Sequence, residues 1–181
     1  MKKIVLSIVP VILAMTISSS SATAQREVSP QAVERIQREV RHEILMLPFL
    51  DVFDNIAFKV DGDNVTLYGQ VTRPTLKTDA ERVVKRIEGV EKVDNQIEVL
   101  PVSNNDDRLR IRLFRAIYGY SALQRYALPV IKPIRIIVKN GNVTLEGIVD
   151  SEADKNLVNM RARGVSGSFS VTNNLAVSSS R

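Results

Sequence analysis

The stretch DNVTLYGQV at residues 63–71 is written a second time as GNVTLEGIV at residues 141–149. With an offset of 78, Asn64, Val65, Thr66, Leu67, Gly69 and Val71 return as Asn142, Val143, Thr144, Leu145, Gly147 and Val149, six identities in nine positions. A match of this quality at a fixed period marks an internal repeat, so the chain is read as two copies of one small unit.

On the N-terminal side of the first stretch, Val33, Ile36, Val40, Ile44 and Leu47 recur every three or four residues. That spacing places them on one face of a helix from about Pro30 to Leu47, which Pro48 stops. Ile56, Phe58 and Val60 then alternate inward, Gly62 makes a turn, and Val65, Leu67 and Val71 alternate inward again, so the quoted stretch is the second strand of a hairpin. After Pro74, Thr78 and Glu81 have capping-box spacing, Ala80, Val83, Val84 and Ile87 form a helical stripe, and Gly89 ends it. Val93, Ile97 and Val99 supply a last strand. The second copy repeats this order, with a helix from about Asp107, the strand IRIIV, the NG turn, the second quoted stretch, a helix from Ser151 and the strand VTNNLAV.

Only one face of each strand is apolar, so both helices must cover the same face of the sheet. The expected fold class is α+β: two tandem α-β-β-α-β units, each a three-stranded mixed sheet with two helices on one face. The expected divisions are a signal peptide at 1–24, a first unit at 29–101, a polar linker at 102–107 and a second unit at 108–178. Lys2 and Lys3, the uncharged run Ile4 to Ile17 and Ala22-Thr23-Ala24 read as a secretory signal cleaved after Ala24. The chain has no Cys and a single His, His42. Disulfides, cysteine metal sites and a lipid anchor on a signal-end cysteine are thereby excluded, and a zinc site or a histidine-based triad has no donors to build it. No catalytic residue, metal ligand or cofactor site is expected.

The order of these motifs, their doubling and the export signal resemble the BON domain, a module of bacterial envelope proteins found singly or in tandem. The residues that carry the resemblance are NVTLxGxV with Gly69 and Gly147, GVEKVDNQIEV at 89–99 and GSFSVTNNLAV at 167–177. The absent Cys makes the chain look more like the soluble periplasmic members associated with hyperosmotic stress than like the lipid-anchored ones. The resemblance implies a periplasmic protein that binds phospholipid or envelope surfaces, supports envelope integrity under stress and performs no chemistry.

Charge is distributed unevenly. Residues 31–101 hold 10 basic and 13 acidic groups, whereas residues 108–177 hold 11 basic and 4 acidic. A net of +7 on the second copy points to an anionic partner. Aligning Ile36 with Leu113 sets Glu34, Gln37 and Arg41 opposite Ile111, Phe114 and Tyr118, so three polar positions of the first helix have become apolar. Three readings fit this extra stripe: docking against the first copy, contact with a membrane, or a groove for a protein partner. Arg108, Arg112 and Arg115 lie beside it, and Tyr120, Arg125 and Tyr126 follow in the connection to the next strand. The expected contact set is therefore Arg108, Ile111, Arg112, Phe114, Arg115, Tyr118, Tyr120, Arg125 and Tyr126, facing anionic phospholipid or an envelope membrane. A protein-interaction or chaperone-like role on envelope proteins is the alternative, and export removes nucleic acid as a partner. If the export reading holds, the intact mass of the protein from the periplasmic fraction corresponds to a chain starting at Gln25; retention of Met1 contradicts it.

Overall fold

The computed structural model describes residues 29–178, so the signal segment at 1–24 lies outside the described residues. Repeat 1 comprises α1 (Pro30–Leu45), β1 (Asn55–Asp61), β2 (Asn64–Val71), α2 (Pro74–Val84), β3 (Lys92–Asn95) and β4 (Glu98–Val99). Repeat 2 comprises α3 (Asn104–Tyr118), a 3₁₀ helix (Ser121–Ala127), β5 (Ile134–Lys139), β6 (Asn142–Val149), α4 (Glu152–Arg163), β7 (Ser170–Asn173) and β8 (Ala176–Val177). In each repeat the second hairpin strand is central, antiparallel to the first and parallel to the third. The expected mixed sheet is present twice.

The hairpin glycines are required by a close approach. At Gly69 (φ 120°) a Cβ would lie 2.1 Å from the Asn55 carbonyl oxygen, and at Gly147 (φ 121°) 1.9 Å from that of Pro133. Any side chain would force the hairpin apart, which explains why NVTLxG is repeated intact.

Three local expectations are corrected. The third strand of each repeat is broken in two, because the Asn95 side chain accepts from the Ile97 N–H (3.2 Å) and donates to the Lys77 carbonyl (2.9 Å). Asn173 does the same with Leu175 and Lys155. These bonds compete with the ladder and turn Ile97 and Leu175 fully into the cores. Second, α2 starts at Pro74 with Arg73 as its cap, so Thr78 and Glu81 lie inside the helix, and Glu81 pairs with Lys85 (2.5 Å). Third, Ser103 caps α3 by accepting from the Asp106 N–H (3.2 Å), so residues 104–107, read as linker, form its first turn.

Each repeat has its own core, but the loop after α1 belongs to both. Val52 is buried among Leu113, Ile117, Ile136 and their neighbours in repeat 2. Its carbonyl accepts from the Ile136 N–H at the outer edge of β5 (2.9 Å), and Arg135 donates to the Asp51 carbonyl (2.9 Å). Phe53 meets Phe114 edge to face at 6.3 Å. Asp54, 1% exposed, pins the loop from behind by accepting from the Thr72 N–H (2.7 Å), the Thr72 hydroxyl (2.9 Å) and the Asp51 N–H (2.9 Å).

With the sheet offset of 78, Val130 is the counterpart of Val52, yet it is 97% exposed. Val52→Ala therefore costs roughly 2 kcal/mol of stability through the cavity it leaves, whereas Val130→Ala stays within about 0.5 kcal/mol. Chemical denaturation of the two variants checks the contrast.

Candidate arginine face and its relation to known families

The residues expected on one contact surface are sorted by the structure into four groups. Tyr118 and Tyr126 are 5% and 4% exposed and are removed from any surface. The Tyr118 hydroxyl donates to the Ile134 carbonyl (2.6 Å) and accepts from the Ile134 N–H (3.1 Å), so the side chain closes the start of β5. Burial pushes its hydroxyl above the ordinary tyrosine range. The Tyr126 hydroxyl donates to Asp154 (3.0 Å) and accepts from the Asp150 N–H (2.8 Å).

Phe114 lies in the seam, half-buried between Phe53 and Tyr118, whose ring centroid is 5.0 Å away. Ile111 is 47% exposed at the mouth of the same seam, near Val102 and Arg73. Of the three readings of the apolar stripe, docking against repeat 1 accounts for Phe114 and Tyr118. Arg110, buried, donates to Asp107 and to the Val138 carbonyl (2.6 Å), which explains its position near the core side of the helix.

Arg125 is tied down by carboxylates, pairing with Asp150 at 3.1 Å and with Asp154. The Asp154 carboxylate, on a residue 6% exposed, also accepts from the Ser151 hydroxyl (2.7 Å), and the Asp154 N–H donates to the Ser151 hydroxyl oxygen (3.1 Å), which caps α4. Burial works to raise its pKa, but hydrogen bonds from Ser151, Tyr126 and Arg125 outweigh it and hold the carboxyl below its usual range.

The remaining members, Arg108, Arg112, Arg115 and Tyr120, are on the surface. The sequence reading missed their companions on α4. Arg161 lies over the Tyr120 ring at 4.6 Å and donates to the Ala116 carbonyl (3.0 Å), and Arg163, two residues further along α4, is exposed. The excess of basic residues in the second copy was the available signal; that α4 runs against α3 was not. Among the described residues, Arg108, Arg112, Arg115, Arg161 and Arg163 form no ion pair. The corresponding helices of repeat 1 contain four: Arg35–Glu39 (2.9 Å), Arg38–Glu34 (4.0 Å), Arg82–Asp79 and Lys85–Glu81 (2.5 Å).

Apolar side chains missed by the sequence reading also stand out, with Leu128 79%, Ile131 41% and Phe169 84% exposed. No group of three or more metal-ligating side chains is found among the described residues, and none of the described helices is long and apolar enough to cross a membrane.

A family model of the BON domain matches residues 32–101 and 121–179. The chain belongs to the BON domain family. One match falls in each repeat, and the second begins at the 3₁₀ helix, leaving α3 outside it. No curated protein matches the chain. Among solved structures, it is similar to CdsD, a structural protein of the type III secretion system of Chlamydia trachomatis, at 13% identity over 80% of this chain and 92% of that one, with a TM-score of 0.29. The C-terminal domain of the same protein gives 13% identity over 78% and 96%, with a TM-score of 0.27. Likenesses this slight do not bear on the function of the BON repeats described here.

The Asp154 cluster generates a prediction. A carboxylate whose folded pKa is depressed contributes stability above its unfolded pKa and loses it as pH falls through the folded pKa. Asp154→Asn should destabilise the protein by about 1 to 3 kcal/mol near neutral pH. The difference from the parent should shrink towards pH about 3, where the unfolded chain already takes up the proton. Thermal unfolding of both proteins across this range measures it.

Proposed function

We propose that this BON protein is a non-catalytic periplasmic module that associates with anionic phospholipid at an envelope membrane and supports envelope integrity under osmotic stress. One observation carries the reading: among the described residues five arginines on α3 and α4 are without carboxylate partners, while the same helices of repeat 1 neutralise themselves. Uncompensated guanidinium groups attract an anionic surface, each contributing about 1 kcal/mol close to it. Arg108, Arg112, Arg115, Arg161 and Arg163 supply the attraction, with Tyr120 and Ile111 as apolar contacts beside them.

The export reading and the family both support an envelope location. A second reading, an adaptor for envelope proteins, is favoured by the exposed apolar segment Leu128, Val130 and Ile131. Salt separates the two: attraction to lipid through arginines weakens as ionic strength rises, whereas contact through that segment persists.

The paired reversal Arg115→Glu and Arg163→Glu tests the membrane reading, because both side chains are exposed and neither bonds outside its own helix. Co-sedimentation with vesicles containing phosphatidylglycerol should fall by about tenfold or more, with thermal unfolding nearly unchanged. Undiminished sedimentation by a folded variant contradicts the proposal.

A further inference from the structure

We infer that repeat 2 carries a seat for a single phosphoryl group: the cleft between the first half of α3, the β5–β6 turn and the start of β7, with Arg108 and Arg112 as its cations and Phe169 as its wall. This rests on the membrane reading above and names the part of the ligand that is gripped. The cleft encloses about 570 Å³ and is also lined by Asn105, Asn140 and Gly141.

Repeat 1 supplies the control. Arg35 and Arg112 occupy equivalent places, each reaching across α1 or α3 to the glycine that follows the second helix. The Arg35 guanidinium is consumed there, donating to Glu39 (2.9 Å) and to the Glu88 carbonyl (2.9 Å). Arg112 lies so close to Gly167 that a Cβ would sit 2.8 Å from its terminal nitrogen, yet among the described residues its guanidinium has no hydrogen-bond partner. The residue in the place of Glu39 is Ala116.

The wall of the cleft has changed in the same sense. Phe169 donates its N–H to the Gly141 carbonyl (2.8 Å) as Glu91 donates to Asp63 (2.9 Å), so Phe169 and Gly141 replace two acids of repeat 1. Arg108 replaces Gln31, and among the described residues its only partner is the neutral Asn105 side chain at 2.5 Å. Three carboxylates have been lost and one guanidinium gained around a single cleft. One carboxylate is gained, Asp106 in the place of Ser29, but it is 2% exposed and spends its oxygens on the Asn140 (2.8 Å) and Gly141 (2.9 Å) N–H groups.

Two guanidinium groups with unspent donors suit a tetrahedral phosphoryl group, whose oxygens accept from both forks at once. The exposed Phe169 ring stands over Gly141, where a Cβ would come within 2.6 Å of it, and offers an apolar wall to the glycerol or sugar carried by the ester. A lipid headgroup and a free phosphate ester share this chemistry.

The test is the pair Arg108→Gln and Phe169→Glu in the full chain, which installs the residues of repeat 1 at two exposed positions. Glycerol 3-phosphate is titrated against parent and variant, following the amide signals of Gly141, Gly167 and Phe169, and vesicles with and without phosphatidylglycerol are sedimented in parallel. The parent should show saturable shifts at these amides, and the variant should bind about tenfold more weakly. Weakening in both arms supports a lipid headgroup as the source; weakening of the soluble ester alone supports a free phosphate ester, and the membrane reading is then judged by the Arg115 and Arg163 reversals. Shifts that are absent from the parent, or equal in a folded variant, overturn the seat, and vesicle binding that survives this pair but not those reversals leaves the membrane reading standing without it.

Discussion

The structure depends on Val52 being a core residue of the repeat to which it does not belong. Its side chain fills repeat 2 and its carbonyl occupies the Ile136 N–H, so one residue supplies both apolar burial and edge satisfaction. An exposed edge strand is an invitation to pair, and proteins close such edges deliberately. On β5 three residues along the outer edge are engaged: the Tyr118 hydroxyl serves Ile134, Val52 serves the Ile136 N–H and the Arg110 guanidinium serves the Val138 carbonyl. The counterparts of Tyr118 and Arg110 in repeat 1 are Arg41 and Val33, which make no such bonds among the described residues, so β1 keeps an open edge. The two repeats share one fold and differ in how that edge is covered.

That asymmetry explains the polar-to-apolar change between α1 and α3. Phe114 and Tyr118 are apolar because they receive the loop of repeat 1, while Gln37 and Arg41 receive nothing. A terminal unit with a polar receiving face is what stops such an array from growing. With docking handled by one face of α3, the opposite flank is free to carry arginines. Because the acids that pair with their counterparts in repeat 1 are missing, these guanidinium groups carry charge that their own helices do not compensate.

Much of this fold was legible in the sequence, since the repeated hairpin and the helical stripes follow from periods of two and about 3.6 that burial enforces. What escaped were the effects of side chains on backbone: Asn95 and Asn173 break the last strands by bonding two residues ahead, and Ser103 starts α3 earlier than its apolar pattern does. The site was half legible. Arg108, Arg112 and Arg115 stand where helical spacing puts them, but in the sequence an aromatic beside a basic residue looks the same whether its hydroxyl faces solvent or, as for Tyr118 and Tyr126, a buried carbonyl or carboxylate. Arg161 and Phe169 were invisible for another reason, namely that only the packing of α4 against α3 and the cleft beside the β5–β6 turn bring them near it.

Amide hydrogen exchange tests the inter-repeat clasp most directly, because Ile136 and Phe58 hold equivalent positions on their strands and differ in one bond. Both N–H groups point away from the neighbouring strand. Only that of Ile136 meets a carbonyl, from Val52. The Ile136 amide should therefore exchange far more slowly than the Phe58 amide in the native protein. Equally rapid exchange at the two positions would show that the repeats are not clasped through Val52 and would contradict the account.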